Sequence, residues 1–178
     1  MIRFALFICG FLVLYYAAPK SCQAGELKTR YALVTYENQD LLREFNDNLR
    51  IGYKLYQYVK RRANYTLTDE VKNKIDVVLE KVEVVLDMFP RNVSFNIVLL
   101  PDDEDIRKIH QNVYHRNASY IAFFSPKKNT VYLSVDDINL RVLAHEFGHV
   151  IVENYFDISP PPKMHELLAQ FAAANITD

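Results

Sequence analysis

The feature that most restricts this chain is the pentapeptide His145-Glu146-Phe147-Gly148-His149, flanked by Val142, Leu143, Ala144, Val150 and Ile151. Apolar residues at this density and spacing predict a largely buried helix running from Ile138 to about Tyr155. At 3.6 residues per turn the two histidines stand about 40° apart around the axis and roughly 6 Å along it, so both imidazoles reach one point in space. Burying two histidines and a glutamate without partners would cost on the order of several kcal/mol, whereas one tetrahedral zinc ion satisfies the set together. Glu146 lies roughly 100° from His145 and 60° from His149, beside such an ion, where it can hold a water without being a ligand. A glycine in mid-helix costs about 1 kcal/mol against alanine, so Gly148 predicts that something approaches the backbone closely there.

Catalytic zinc keeps three protein ligands and one open position. Glu166, seventeen residues after His149, is the candidate third ligand. That interval lets the first helix finish, a loop with Pro160, Pro161 and Pro162 reverse the chain, and a last helix, about Lys163 to Ala174, bring a carboxylate back. His165 and Glu153 are the rivals: Glu153 would have to reach backward along its helix, and His165 points about 100° away from Glu166. His165 as a fourth ligand would give a closed, structural site instead. The third histidine of the metzincins is excluded, because Val152 stands where their glycine belongs.

The remaining pattern is mixed. Arg30 to Glu37 reads as a first strand and Val93 to Leu100 as a central one. An amphipathic helix is expected from about Asp40 to Arg61, and a second one begins at a cap within Thr68-Asp69-Glu70 and ends before Pro90. Asp102-Asp103-Glu104-Asp105 opens another helix, where the acids serve the helix dipole; the segment lacks the glycine and the spaced ligands of a calcium loop. Tyr120 to Ser125 and Thr130 to Ser134 flank Pro126-Lys127-Lys128-Asn129 and form a hairpin, after which Asp136 or Asp137 caps the zinc helix. The expected fold is α+β: a small mixed twisted sheet with a hairpin edge strand, packed on N-terminal helices and followed by the zinc helix and a C-terminal glutamate helix.

Half of the 178 residues are apolar and the net charge is −1, which suits one domain with a real core and leaves no basic stripe for nucleic acid. Met1-Ile2-Arg3 followed by the apolar run Phe4 to Ala18 reads as a signal peptide over residues 1–24, cut after Cys22-Gln23-Ala24, with a domain from 25 to 178. The run is short of the roughly 20 residues that span a bilayer, so the expected protein is exported (secreted, extracellular or periplasmic), without a stable membrane partner. An uncleaved anchor is the alternative. Cys9 and Cys22 both precede the cut, so the mature domain would carry no disulfide. Sequons stand at Asn64, Asn92, Asn117 and Asn175. Nothing in the pattern sets an oligomeric state.

From Tyr120 to Ala173 these residues resemble the gluzincin clan of zinc metallopeptidases, the thermolysin-like and aminopeptidase-like group, and in particular its minimal single-domain members. His145-Glu146-Phe147-Gly148-His149 is similar to the zinc helix of that clan. Met164-His165-Glu166-Leu167-Leu168-Ala169-Gln170-Phe171 is similar to its glutamate helix, and Ile121-Ala122-Phe123-Phe124 with Val131-Tyr132-Leu133 to its edge strand. The resemblance implies hydrolysis of peptide bonds by a metal-activated water, with Glu146 as general acid/base. It further implies that Ala122 and Phe123 hold the peptide main chain by β-addition. Gln170 replaces an aspartate that orients the first histidine in thermolysin-like relatives, its amide oxygen offering the same bond without charge. His165 takes the place of an asparagine in some relatives. The subdomain that supplies the oxyanion stabiliser in larger relatives is not expected here, so the resemblance assigns no residue to that role, and Tyr155 is the candidate. The competing reading is an exported zinc-binding scaffold or peptide-binding domain of the same fold without significant catalysis.

Overall fold

A computed structural model describes residues 24–63, 65–115 and 120–177. The expected leader, apart from Ala24, and the sequons at Asn64 and Asn117 lie outside the described residues. Among the described residues five strands form one mixed sheet with six helices around it. Strands β1 (Gly25–Lys28), β2 (Ala32–Tyr36), β3 (Phe95–Leu100), β4 (Ala122–Ser125) and β5 (Thr130–Ser134) are ordered β1-β2-β3-β5-β4. The three central strands are parallel, and β1 and β4 are antiparallel edges. The architecture is therefore α+β, with the hairpin β4–β5 supplying an edge strand as expected.

Between β2 and β3 the chain forms α1 (Gln39–Asn48), α2 (Gly52–Lys60) and α3 (Leu67–Leu86), where the sequence pattern had suggested two helices. The break falls where Leu49 and Ile51, two residues apart and both buried, must face the same core, a spacing that a continuous helix would put on different faces. Gly52 then restarts the chain at φ +75°, a conformation open to glycine. The cap of α3 is Thr66 rather than a residue of 68–70: its hydroxyl accepts the Asp69 amide at 3.1 Å. Strand β1 escaped the sequence reading because four residues, one of them glycine, carry too little alternation to register.

Asp102 caps α4 (Asp103–Tyr114), accepting from the Asp105 amide at 3.0 Å, and three acids fill its first turn, as a helix-dipole role requires. Helix α5 (Leu140–Tyr155) is capped by Asn139, whose side-chain oxygen accepts the Arg141 and Val142 amides at 3.0 and 3.1 Å. The expected caps, Asp136 and Asp137, fall short of the helix: Asp137 instead accepts from the Ser134 hydroxyl at 2.7 Å. Pro162 opens α6 (Pro162–Asn175), its fixed φ suited to a first helical turn.

One contiguous core runs from Leu27 on β1 to Ile176 after α6. Phe95, Ile97 and Leu99 of β3 share a face with Val131 and Leu133 of β5, and Phe147 of α5 packs edge-on against Phe95 at 5.6 Å. Helix α3 packs against α5, and α5 makes its most extensive contact with α6. No helix among the described residues is long and apolar enough to cross a membrane.

Candidate metal centre

Phe147 packs on Phe95 of the sheet, Leu143 and Ile151 are fully buried in the core, and α5 also meets α6 and the edge strand. The Nε2 atoms of His145 and His149 lie 3.2 Å apart. Glu166 Oε2, on the second turn of α6, is 3.7 Å from the first and 3.6 Å from the second. Donors bound at 2.0–2.1 Å around a tetrahedron are separated by about 3.3–3.4 Å, so the spacing of these three atoms fits one zinc ion. Among the described residues this is the group of three metal-ligating side chains that converges on a point.

Gly148 explains how α6 comes so close. A Cβ at this position would lie 2.8 Å from the Ala169 Cα and 3.4 Å from the Ala172 Cβ. The close approach expected from a mid-helix glycine is thus made by the helix that carries Glu166. Ala169, three residues after Glu166, and Ala172 are both fully buried at this contact.

Glu146 is 6% exposed, and its Oε2 finds no hydrogen-bond partner among the described residues. Burial pushes its carboxyl up to about 8, against the pull of the Phe124 amide that donates to it and with the charge of Glu166 adding to the rise. His149 is pushed down to about 4, first by burial and then by His145, so at neutral pH it is the unprotonated imidazole that a metal requires. A buried carboxyl with one unsatisfied oxygen beside the unprotonated His149 imidazole is unfavourable in isolation and well matched to a cation with a water.

The open edge of β4 forms one wall of a cleft of about 960 Å³ that contains the metal group. In an antiparallel pair, facing residues alternate between those that exchange hydrogen bonds and those that do not. Ser134 N donates to Ile121 O, which makes Phe123 and Tyr132 a bonded pair and turns the backbone groups of Ala122 and Phe124 outward. The expected main-chain partners were Ala122 and Phe123. Ala122 turns its backbone groups outward, as does Phe124, whose amide meets Glu146; Phe123 bonds inward to β5 and is buried, its ring stacked on Tyr132 at 4.8 Å.

The remaining candidates take other places. The Gln170 amide nitrogen donates to Glu166 Oε1 at 2.8 Å, which holds the Glu166 carboxylate in place. His165 and Glu153, the rival ligands, pair with each other instead: Nε2 and Oε2 are 3.1 Å apart, and the Ser159 hydroxyl donates to the same Glu153 oxygen at 2.7 Å. The His165 ring also stacks on His149 at 5.7 Å. Tyr155 stands six residues past His149, about 240° around the helix, and its ring packs on Phe156 rather than lining the cleft. Among the cleft residues that the sequence did not single out are His110, Tyr114 and Tyr120. His110 and Tyr114, four apart, share a face of α4, and that spacing was the available signal.

Comparison with protein-family profiles, with curated proteins and with solved structures gives no match for this chain.

Proposed function

We propose that this protein is a zinc-dependent peptidase of the gluzincin type, in which His145, His149 and Glu166 hold the metal and Glu146 is the general acid/base. The observation that carries the reading is the convergence of two imidazole nitrogens and a carboxylate oxygen from separate helices, next to a buried carboxyl with an unpartnered oxygen. A zinc ion bound there supplies Lewis acidity, polarising a carbonyl and lowering the pKa of a water. Glu146, on α5 and bonded to the Phe124 amide of β4, accepts the proton of the attacking water and later delivers it to the leaving amine. The outward groups of Ala122 and Phe124 hold an extended main chain alongside β4, with Phe124 also aligning the Glu146 carboxyl. Gln170 orients Glu166, and the Glu153–Ser159–His165 cluster ties the proline loop to both helices.

Export and removal of the leader belong to this proposal, since a secreted peptidase with no cysteine after residue 22 would draw rigidity from its core and its metal. Glu146→Gln tests the assignment: it keeps the ligands and removes the base. The expected result is stoichiometric zinc with turnover of an unfolded protein reduced by about 10³-fold or more. A variant that cleaves at the parent rate excludes Glu146 from the chemistry.

A further inference from the structure

The two walls of the cleft differ in kind. The charged groups, Glu146, Glu153 and Glu166, come from α5 and α6, whereas the α4 side is a cluster of rings. His110 sits at its centre, with ring centroids 4.9 Å from Tyr114, 4.9 Å from Tyr120 and 5.1 Å from Phe123. Phe123 is backed by the Tyr132 ring, and the Tyr114 hydroxyl shares a 2.8 Å hydrogen bond with Ser125 of β4, so the cluster is fixed to the strand. Tyr120 remains 47% exposed at the mouth.

A strand added to the β4 edge continues the pleat of the sheet, so its successive side chains point to opposite faces. Phe123 shows which face the rings occupy: its backbone is bonded inward to β5 while its side chain enters the His110 cluster. Every second residue of a bound peptide would meet that cluster. An aromatic wall rewards apolar burial and ring-to-ring contact and offers little to a short or charged side chain.

We infer that the wall formed by His110, Tyr114 and Tyr120 sets substrate preference, selecting extended peptides that carry an aromatic or large apolar side chain near the scissile bond. This rests on the peptidase reading of the same cleft. Selection is by residue class rather than by sequence, because the main-chain groups of Ala122 and Phe124 are indifferent to side chains. Unfolded segments and exposed hydrophobic strands fit; uniformly charged peptides do not.

The test uses zinc-loaded full chain carrying Glu146→Gln, so that binding is read without turnover, and fluorescein-labelled nonapeptides of Ala and Ser with a central Phe, Ala or Glu. Fluorescence anisotropy should show the Phe peptide binding about tenfold more tightly than the Ala peptide, with the Glu peptide weakest. Adding Tyr120→Ala should reduce the ratio of Phe-peptide to Ala-peptide affinity to about threefold or less, and Tyr120→Phe should retain it. Equal affinity for the Phe and Ala peptides overturns the inference, and that comparison stands even where the Tyr120 variants fail to fold. Equal affinities accompanied by zinc-dependent turnover in the parent leave the peptidase reading intact. Failure of every peptide to bind, with zinc present and no turnover in the parent, removes both.

Discussion

Glu146 illustrates how a side chain can be unfavourable for folding and suited to chemistry. In metal-free protein its carboxyl titrates near 8, above its ordinary value of 4.5, so the native state binds the extra proton between those pH values. Its contribution to stability is complete below pH 4.5 and is lost as pH rises through 8. His149 has the opposite sign: its folded value of about 4 lies below 6.5, so its contribution is complete above pH 6.5 and is lost as pH falls toward 4. With chelator present, the stability difference between parent and Glu146→Gln should move against the parent by about 2–4 kcal/mol from pH 4.5 to 8, as measured by urea unfolding. A pH-independent difference would contradict the burial assigned to this group. Gln170→Ala should weaken zinc binding about tenfold by freeing Glu166, without touching a ligand. At this scale the sequence was informative about His145, Glu146 and His149, because helical period alone brings them together. It was silent on backbone orientation along the edge strand: whether Phe123 or Phe124 turns its main-chain groups outward depends on pairing with β5.

At the scale of elements the convergence of His145, His149 and Glu166 depends on the contact between α5 and α6. Gly148→Ala would place a methyl group against the Ala169 backbone, and a backbone neighbour cannot rotate away. The helices must separate, so the variant should lose about 1–3 kcal/mol of stability and bind zinc at least tenfold more weakly although all three ligands remain. Calorimetry and a competitive zinc titration would show both effects; unchanged zinc affinity would mean that α6 is not held by this contact. The same helices show what was legible in the amino-acid pattern. Long apolar stripes and the proline loop marked α3, α5 and α6, whereas the break between α1 and α2 depends on Leu49 and Ile51 both reaching the core. The cap at Asn139 was missed for a related reason: Asp136 and Asp137 are equally good capping residues, and Asp137 is drawn to Ser134 only once β5 is in place.

For the whole molecule a metal bound as proposed would act as a cross-link in a domain whose described residues contain no cysteine. It would join α5 to α6, and α6 otherwise rests on α5 and α3. Zinc at about 100 times its dissociation constant should stabilise the fold by about 2.7 kcal/mol. For a domain of this size that raises Tm on the order of 5–10 °C, reversed by chelator, and no shift in a thermal scan would contradict a native-state site. The most direct test of the central claim is zinc-edge absorption spectroscopy on purified protein with the metal content determined. One zinc per chain, with two imidazole nitrogens and two oxygen donors at about 2.0–2.1 Å, is the predicted result. A third imidazole, or protein that takes up no stoichiometric zinc, would contradict an open His145–His149–Glu166 centre.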